Sequence, residues 1–468
     1  MLNKEKTFRD PIYGYISIPE KYCNDFIDTS IFQRLRRIEQ TSMRVLYPSA
    51  HHDRFAHSIG VFYLGQLAFH YLRKNSEEYF EFSNENWAKY KNSFEIACLM
   101  HDCGHSPFSH TFEHFYLYKK ENEIKNKLIT YFASEQNFQD EYKNASPAPH
   151  EKISALILLE HFSDKIKENE ASPELIARMI MGCKYESGLN SEKRFENRLI
   201  SLLNGVGIDV DSLDYIQRDS WASGVSNVKI DYQRLLSALM IKTDSHNSPK
   251  IVFKKSALSV LDNISIGRNF LYKWIYSHHK VIYEQYLLTN IIDQINKKTK
   301  EQLCPKIFST DSFSSAQTFK NSFYFLPSDD DIIYTIKQYR EITPLIDEFL
   351  SRNYKYKALW KTYFEFNEVY LSSISISDRM KIYTKLSEKE NILSKTYGED
   401  KFLCLKAEPK LKRINSNDFF IDVDGKLIDA ARATSIQNEN LNYFMIYVTK
   451  DLLSEKDKII DKILSLQS

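Results

Sequence analysis

Residues 98–114 read CLMHDCGHSPFSHTFEH. The run Phe94 to Met100 before the dipeptide is apolar at helical spacing, and His101 and Asp102 stand at its end. Gly104 and Pro107 then break the helix and turn the chain. A buried helix ending in His-Asp strands two polar groups in a core, which is costly unless both are satisfied. A metal ion satisfies both, because imidazole is the commonest metal ligand and carboxylate oxygens suit harder divalent ions. Of 13 histidines, eight fall between positions 51 and 114, where an even spread would put about two. Alone, a His-Asp dipeptide is usually a hydrogen-bonded pair.

Three further stretches change that reading. HHDRFAHSIG (51–60) starts an apolar helix at His57, and PHEKISA (149–155) opens another at His150-Glu151. In GIDVDSLDYIQRDS (207–220), Asp211, Tyr215, Arg218 and Asp219 share one helical face. A charged surface helix is the plain alternative, but Ile208, Val210, Leu213 and Ile216 bury part of it, so its carboxylates need partners.

The remaining composition sets bounds. The chain has 468 residues, enough for one large or two to three smaller domains. Lys+Arg 63 against Asp+Glu 62 leaves a net charge of +1, which excludes a broad polycationic surface for coating nucleic acid. Hydrophobic content of 43%, with 30 Tyr and 30 Phe, excludes global disorder. Only 12 Gly and 12 Pro disfavour a turn-dense all-β fold. No apolar run reaches the ~18 residues that span a bilayer. MLNKEKTFRDPIYG has no apolar segment after its charges, so it does not read as a secretory signal. The six cysteines are scattered without a C-x-x-C pair, as expected of reduced cytoplasmic thiols.

Most of the chain has helical periodicity, including His57–Leu72, Ile153–Phe162 and Leu258–Ile292. The polar stretch 119–149 reads as a surface helix followed by a loop, and the Ser/Thr-rich stretch 302–321 as a boundary. Beyond about residue 345, Phe402–Lys406, Phe419–Val423 and Tyr443–Val448 are short β-prone runs, with a turn signal at Asp424-Gly425. The expected fold is mainly α: a helical core over 1–345 and a smaller α/β C-terminal lobe over 346–468.

Taken together, DPIYGYI (10–16), DTSIFQRLRRIEQ (28–40), RFAHSIGV (54–61), HDCGHSPFSH (101–110), HEKIS (150–154) and GIDVDSLDYIQRDS resemble the HD superfamily of metal-dependent phosphohydrolases. More closely, they resemble its deoxynucleoside-triphosphate triphosphohydrolase branch. YSHHKVIYEQ (276–285) and LPSDDDIIYTI (326–336) match more loosely. The resemblance implies an HD-domain helical core and metal ligands at His57, His101, Asp102 and Asp211, for one or two divalent ions such as Mn, Mg or Fe. It implies catalytic histidines at His105, His110 and His150, with Glu113 as an orienting carboxylate. It places Arg54 on the phosphates, Tyr215 under the deoxyribose, Gln40 and Asp219 on the 3′-hydroxyl, and Tyr283 near base and sugar. Ser212 and Ile275 stand where animal members of that branch have phosphate-binding cations, and Lys273 is the candidate substitute for the second. An activating nucleotide would meet Lys6, Asp28, Gln33 and Arg36, with Arg234 on a second activator, in a homo-oligomer (dimer, tetramer or hexamer). Asp28 and Gln33 also suit a plain role at the helix beginning near Ser30.

The leading expectation is therefore hydrolysis of a dNTP to deoxynucleoside and inorganic triphosphate. The alternatives are an HD phosphodiesterase or nuclease, and a non-catalytic nucleotide sensor. Near-neutral charge disfavours nucleic acid, because tracking phosphates wants a basic stripe. Pool housekeeping and phage defence are both compatible with this chemistry.

Overall fold

The computed structural model describes residues 4–76, 80, 82–205, 208–225, 228–244, 248–314, 317–320, 322–369, 371–373, 386–407, 419–430 and 443–465. It is mainly α-helical, with small sheets. An antiparallel hairpin, Glu5–Asp10 with Gly14–Pro19, leads into the helices. At its turn, Asp10 Oδ1 accepts from the Ile12 and Tyr13 amides.

Three long helices frame the core. Arg54–Ser76 begins where Asp53 Oδ1 accepts from Ala56 N at 2.8 Å. Asn84–Met100 is capped by Ser83, which accepts from Asn86 N. Val210–Ser223 is capped by Asp209, which accepts from Ser212 N at 2.6 Å, and it ends at Gly224 with φ 72°. Each cap satisfies an amide that the first turn leaves orphaned. The first helix packs against both others, as well as against strand Leu239–Thr243. The run 258–292 divides into Leu258–Phe270, a wide turn over Leu271–Tyr276, and His279–Lys298.

Two expectations need correction. Residues 119–149 hold two helices, Glu121–Tyr131 and Phe138–Ala145. Buried Arg178 fastens them, bonding Glu135 and Glu141 while its guanidinium lies over Phe132 and Phe138. The stretch 302–321 is no boundary in its described part: Cys304, Ile307, Phe308 and Phe313 pack in the main core. Residues 315, 316 and 321 lie outside the described residues.

The C-terminal β runs divide between two cores. Tyr356–Ala358, Tyr443–Thr449 and Phe402–Ala407 form one three-stranded sheet with the central strand buried at every residue. Its core takes in Tyr283 and Leu287 from helix His279–Lys298. Phe419–Val423 instead pairs in parallel with Pro249–Lys254, and Lys426–Asp429 extends the same sheet. The chain thus crosses back to the main core after residue 407, where Phe419, Ile421 and Ala430 are buried. Phe419 is fully buried and its ring stacks 6.3 Å from Phe253 at 27°. Phe419→Ala should therefore cost about 3–5 kcal/mol in denaturant unfolding. A change under about 0.5 kcal/mol, as for a surface site, would show the crossing strand to be peripheral.

Candidate active site

Two histidine groups form at the ends of these helices. His57, on the first turns of Arg54–Ser76, is wholly buried. Its Nδ1 bonds Asp214 Oδ2 at 2.7 Å. Asp214 also accepts twice from Arg218, at 2.8 and 3.0 Å, and Arg218 reaches Asp10 Oδ2 at 2.9 Å. Arg218 and His57 hold the Asp214 carboxyl far below the usual carboxylate range despite its burial. This carboxylate orients the ring, leaving Nε2 for the open side.

On that side, His57 Nε2 lies 3.0 Å from Asp211 Oδ1 and 3.6 Å from Asp102 Oδ2. His101 Nε2 lies 3.5 Å from Asp102 Oδ1 and 3.8 Å from Asp211 Oδ1. His101 Nδ1 is engaged by the Cys98 carbonyl at 2.9 Å. His57 Nε2 and His101 Nε2 are both buried and make no hydrogen bond. Two orphaned imidazole nitrogens beside two carboxylates are costly as an empty polar pocket and suit a divalent cation. The four residues named from the resemblance thus converge and fit a metal of mixed N/O preference. The donor set does not choose among Mn, Mg and Fe.

The second group is His105, His110, Glu113 and His150, with one ligand-type atom from each lying within 4.8 Å of the others. Gly104 makes it: a Cβ there would lie 2.5 Å from Ser154 N, so the His-Asp turn packs flush on helix Pro149–Ile157. Gly104 N also donates to Ser154 Oγ at 3.0 Å. The His105 and His150 rings consequently stack at 4.4 Å. Glu113 Oε1 binds His150 Nδ1 in a short contact and lies 3.0 Å from His110 Nδ1. Burial, Arg54 and His150 push His105 well below its ordinary pKa, so it is neutral. Burial also works against a proton on His150, but Glu113 overrides it and raises the pKa to about 9.

Both groups open on a cavity of about 530 Å³, a usual size for a small-ligand site. Gln40, Arg54, Tyr215 and Asp219 line it; Tyr283 does not. The Tyr283 ring is 2% exposed in the second core, and its hydroxyl donates to Glu348 at 2.5 Å. Tyr276 lines the cavity and its hydroxyl bonds Asp219 Oδ2. Asp219 Oδ1 is met by His52 Nε2 at 2.6 Å. Gln40 Oε1 is buried without a partner. Arg54 donates to Ser109 Oγ, Asp102 Oδ2 and the Gln40 carbonyl, spending three of its five N–H groups on the protein. Ile275 is buried and Lys273 lies near the Trp274 and Tyr363 rings. Arg268 lines the cavity and donates to Tyr215 Oη at 3.0 Å.

Of the residues matched to an activator site, Lys6 pairs with Asp28 at 2.6 Å, both about half exposed. Gln33 accepts from Arg36 Nε at 2.9 Å, and the Arg36 guanidinium lies 3.5 Å over the Phe55 ring. Gln33 and Arg36 line a second cavity of about 1120 Å³. Arg234 donates instead to the Ser256 carbonyl.

Sequence reasoning missed Asp214, Arg268 and Tyr276. For Asp214 the signal was present: it stands three residues after Asp211, on the same helix, four before Arg218.

Residues 54–197, under a third of the chain, match the HD domain family. The chain is 30% identical over 298 residues to the uncharacterized protein MG461 of Mycoplasma genitalium, covering 63% of this chain and 61% of that protein. It is 32% identical over 274 residues to the deoxynucleoside triphosphate triphosphohydrolase SAMHD1 of Danio rerio, covering 58% of this chain and 42% of that protein. The chain therefore matches less than two thirds of either relative's length. A crystal structure of a hypothetical protein from Aquifex aeolicus shares its fold, with a TM-score of 0.67 over 98% of this chain and 100% of that one at 22% identity.

Gly60 tests the ring-orienting carboxylate, because a Cβ there would stand 2.0 Å from Asp214 Oδ1 and 2.4 Å from Arg218 Nη2. Gly60→Ala, which alters no ligand, should weaken metal affinity about 10–100-fold in titrations followed by elemental analysis. Unchanged affinity would mean that Asp214 does not set the His57 ring.

Proposed function

We propose that this protein hydrolyses deoxynucleoside triphosphates to deoxynucleoside and inorganic triphosphate. The observation that carries the reading is the pairing of two histidine groups on one cavity, His57 and His101 facing the Asp102 and Asp211 carboxylates and His105, His110 and His150 gathered around Glu113. A divalent ion held by His57, His101, Asp102 and Asp211 would supply Lewis-acid polarisation of phosphoryl oxygens and a more acidic water. His150, kept cationic by Glu113, is the group placed to protonate the departing 5′ oxygen as its bond to the α-phosphorus breaks. His110, at 60% side-chain exposure and sharing Glu113, steadies charge on the phosphate beside it. Arg268 and the two spare N–H groups of Arg54 hold the phosphate tail. Gln40 Oε1 accepts from a sugar hydroxyl, and the Tyr215 ring closes the floor where a 2′-hydroxyl would stand.

An activating nucleotide would meet Gln33 and Arg36 at the second cavity, which Lys337 and Arg352 also line and where Arg37 and Arg44 pair with Asp330 and Glu39. Lys6, Asp28 and Arg234 then belong to the same regulation in a homo-oligomer. All six cysteines are unbridged, which supports a cytoplasmic setting. No helix among the described residues is long and apolar enough to cross a membrane.

The direct test is incubation with Mn²⁺ and each dNTP, with products resolved by phosphorus NMR. Tripolyphosphate and deoxynucleoside are expected; pyrophosphate or cyclic-nucleotide cleavage products would favour a phosphodiesterase, and no turnover a sensor. Equal rates for dNTPs and their ribose counterparts would refute the role given to Tyr215.

A pH profile tests the proton. His150 carries it below about 9 and loses it above, so activity should fall as pH rises through about 9. Glu113→Gln removes the charge that raises this pKa, so the alkaline limb should move to lower pH. An unmoved limb would show that His150 is not the acid.

A further inference from the structure

Phe108 and Ser109 are consecutive non-glycine residues in the left-handed region, with φ 55° and 50°. Such backbone is unfavourable for L-residues and persists only where the surroundings over-determine it. The turn immediately precedes His110, and Ser109 Oγ is the group that receives Arg54 Nε. Its hold comes from far along the chain. Asp329 Oδ1 accepts from Phe108 N at 2.6 Å, while Asp329 Oδ2 accepts from Glu39 N at 2.9 Å.

Asp329 belongs to a run of three aspartates opening helix Asp329–Gln338, and the three divide their work. Asp331 closes the helix's own cap, accepting from Ser328 N and Oγ. Asp330 pairs with Arg37 in solvent. Asp329 is turned inward, 9% exposed, and spends both oxygens on backbone of other segments. Arg34, five residues before Glu39, ties in the residues next to Asp329 and Phe108, donating to the Pro327 and His105 carbonyls at 2.6 and 2.7 Å. Ser109 Oγ donates to the Glu39 carbonyl at 2.6 Å and closes the loop.

We infer that Asp329 is a positioning residue: its two oxygens fasten the Phe108–Ser109 kink to the Glu39 backbone, so that His110 and Gln40 face one cavity. It touches no substrate and acts through the kink. The activity readout rests on the proposed dNTP hydrolysis; the backbone readout does not.

The experiment compares four full-length variants with the wild type. Asp329→Ala should keep its metal, lose about 10–100-fold in kcat, and exchange the Phe108 and Glu39 amide hydrogens faster. Asp329→Asn, which keeps one acceptor oxygen, should fall between it and the wild type, and it serves if the alanine variant does not fold. Adding Phe108→Gly to Asp329→Ala should restore part of kcat, because glycine adopts the kink without help. Ile336→Ala, buried on the same helix, should lower stability while leaving kcat and both amides as in the wild type. Wild-type kcat and amide protection in the Asp329 variants would overturn the inference, as would an equal kcat loss in Ile336→Ala. If the wild type hydrolyses no dNTP, the proposed reaction fails and amide exchange alone decides the role of Asp329.

Discussion

His57 can serve the cavity only if one ring nitrogen is committed elsewhere. That commitment is a buried chain of alternating charge: the Asp214 carboxylate against His57, Arg218 against Asp214, and Asp10 against Arg218. Each of these charges alone would cost several kcal/mol to bury. In sequence they neutralise one another, and Gly60 leaves the room they need. Asp10 also satisfies two amides of the hairpin turn, so the N-terminal hairpin is tied to the same network. Removing any member would leave an unpaired buried charge beside the candidate metal ligands.

The two histidine groups lie on one cavity and are built around different carboxylates. Carboxylates dominate around His57 and His101, where two unpaired nitrogens converge. Around His105 and His150 there is one carboxylate, and it concentrates a proton on His150 while His105 stays neutral. Arg54 stands between, with one arm on Asp102 and another on Ser109.

Much of this was legible in the sequence, for a physical reason. His57, His101, Asp102, Asp211 and His150 stand at helix starts or ends, where local periodicity and breakers fix their place. Asp424-Gly425 marked its hairpin because such a turn demands those residues. Tyr283 lies off the cavity because the wide turn Leu271–Tyr276 and the break before His279 change the helical phase. The following helix turns Tyr283 into the second core. The β runs beyond residue 400 were recognisable, but their partners were not, since parallel pairing of Phe419–Val423 with Pro249–Lys254 spans over 160 residues. Asp329 was equally hidden: its partners are backbone amides, and side-chain patterns carry no trace of them.

The central claim is a division of labour between the two groups, and the position of bound metal tests it most directly. Crystals equilibrated with Mn²⁺ and measured at its absorption edge should show an anomalous peak among His57, His101, Asp102 and Asp211. No peak should appear among His105, His110, Glu113 and His150. A metal seated in that second group, displacing the proton between Glu113 and His150, would contradict the account.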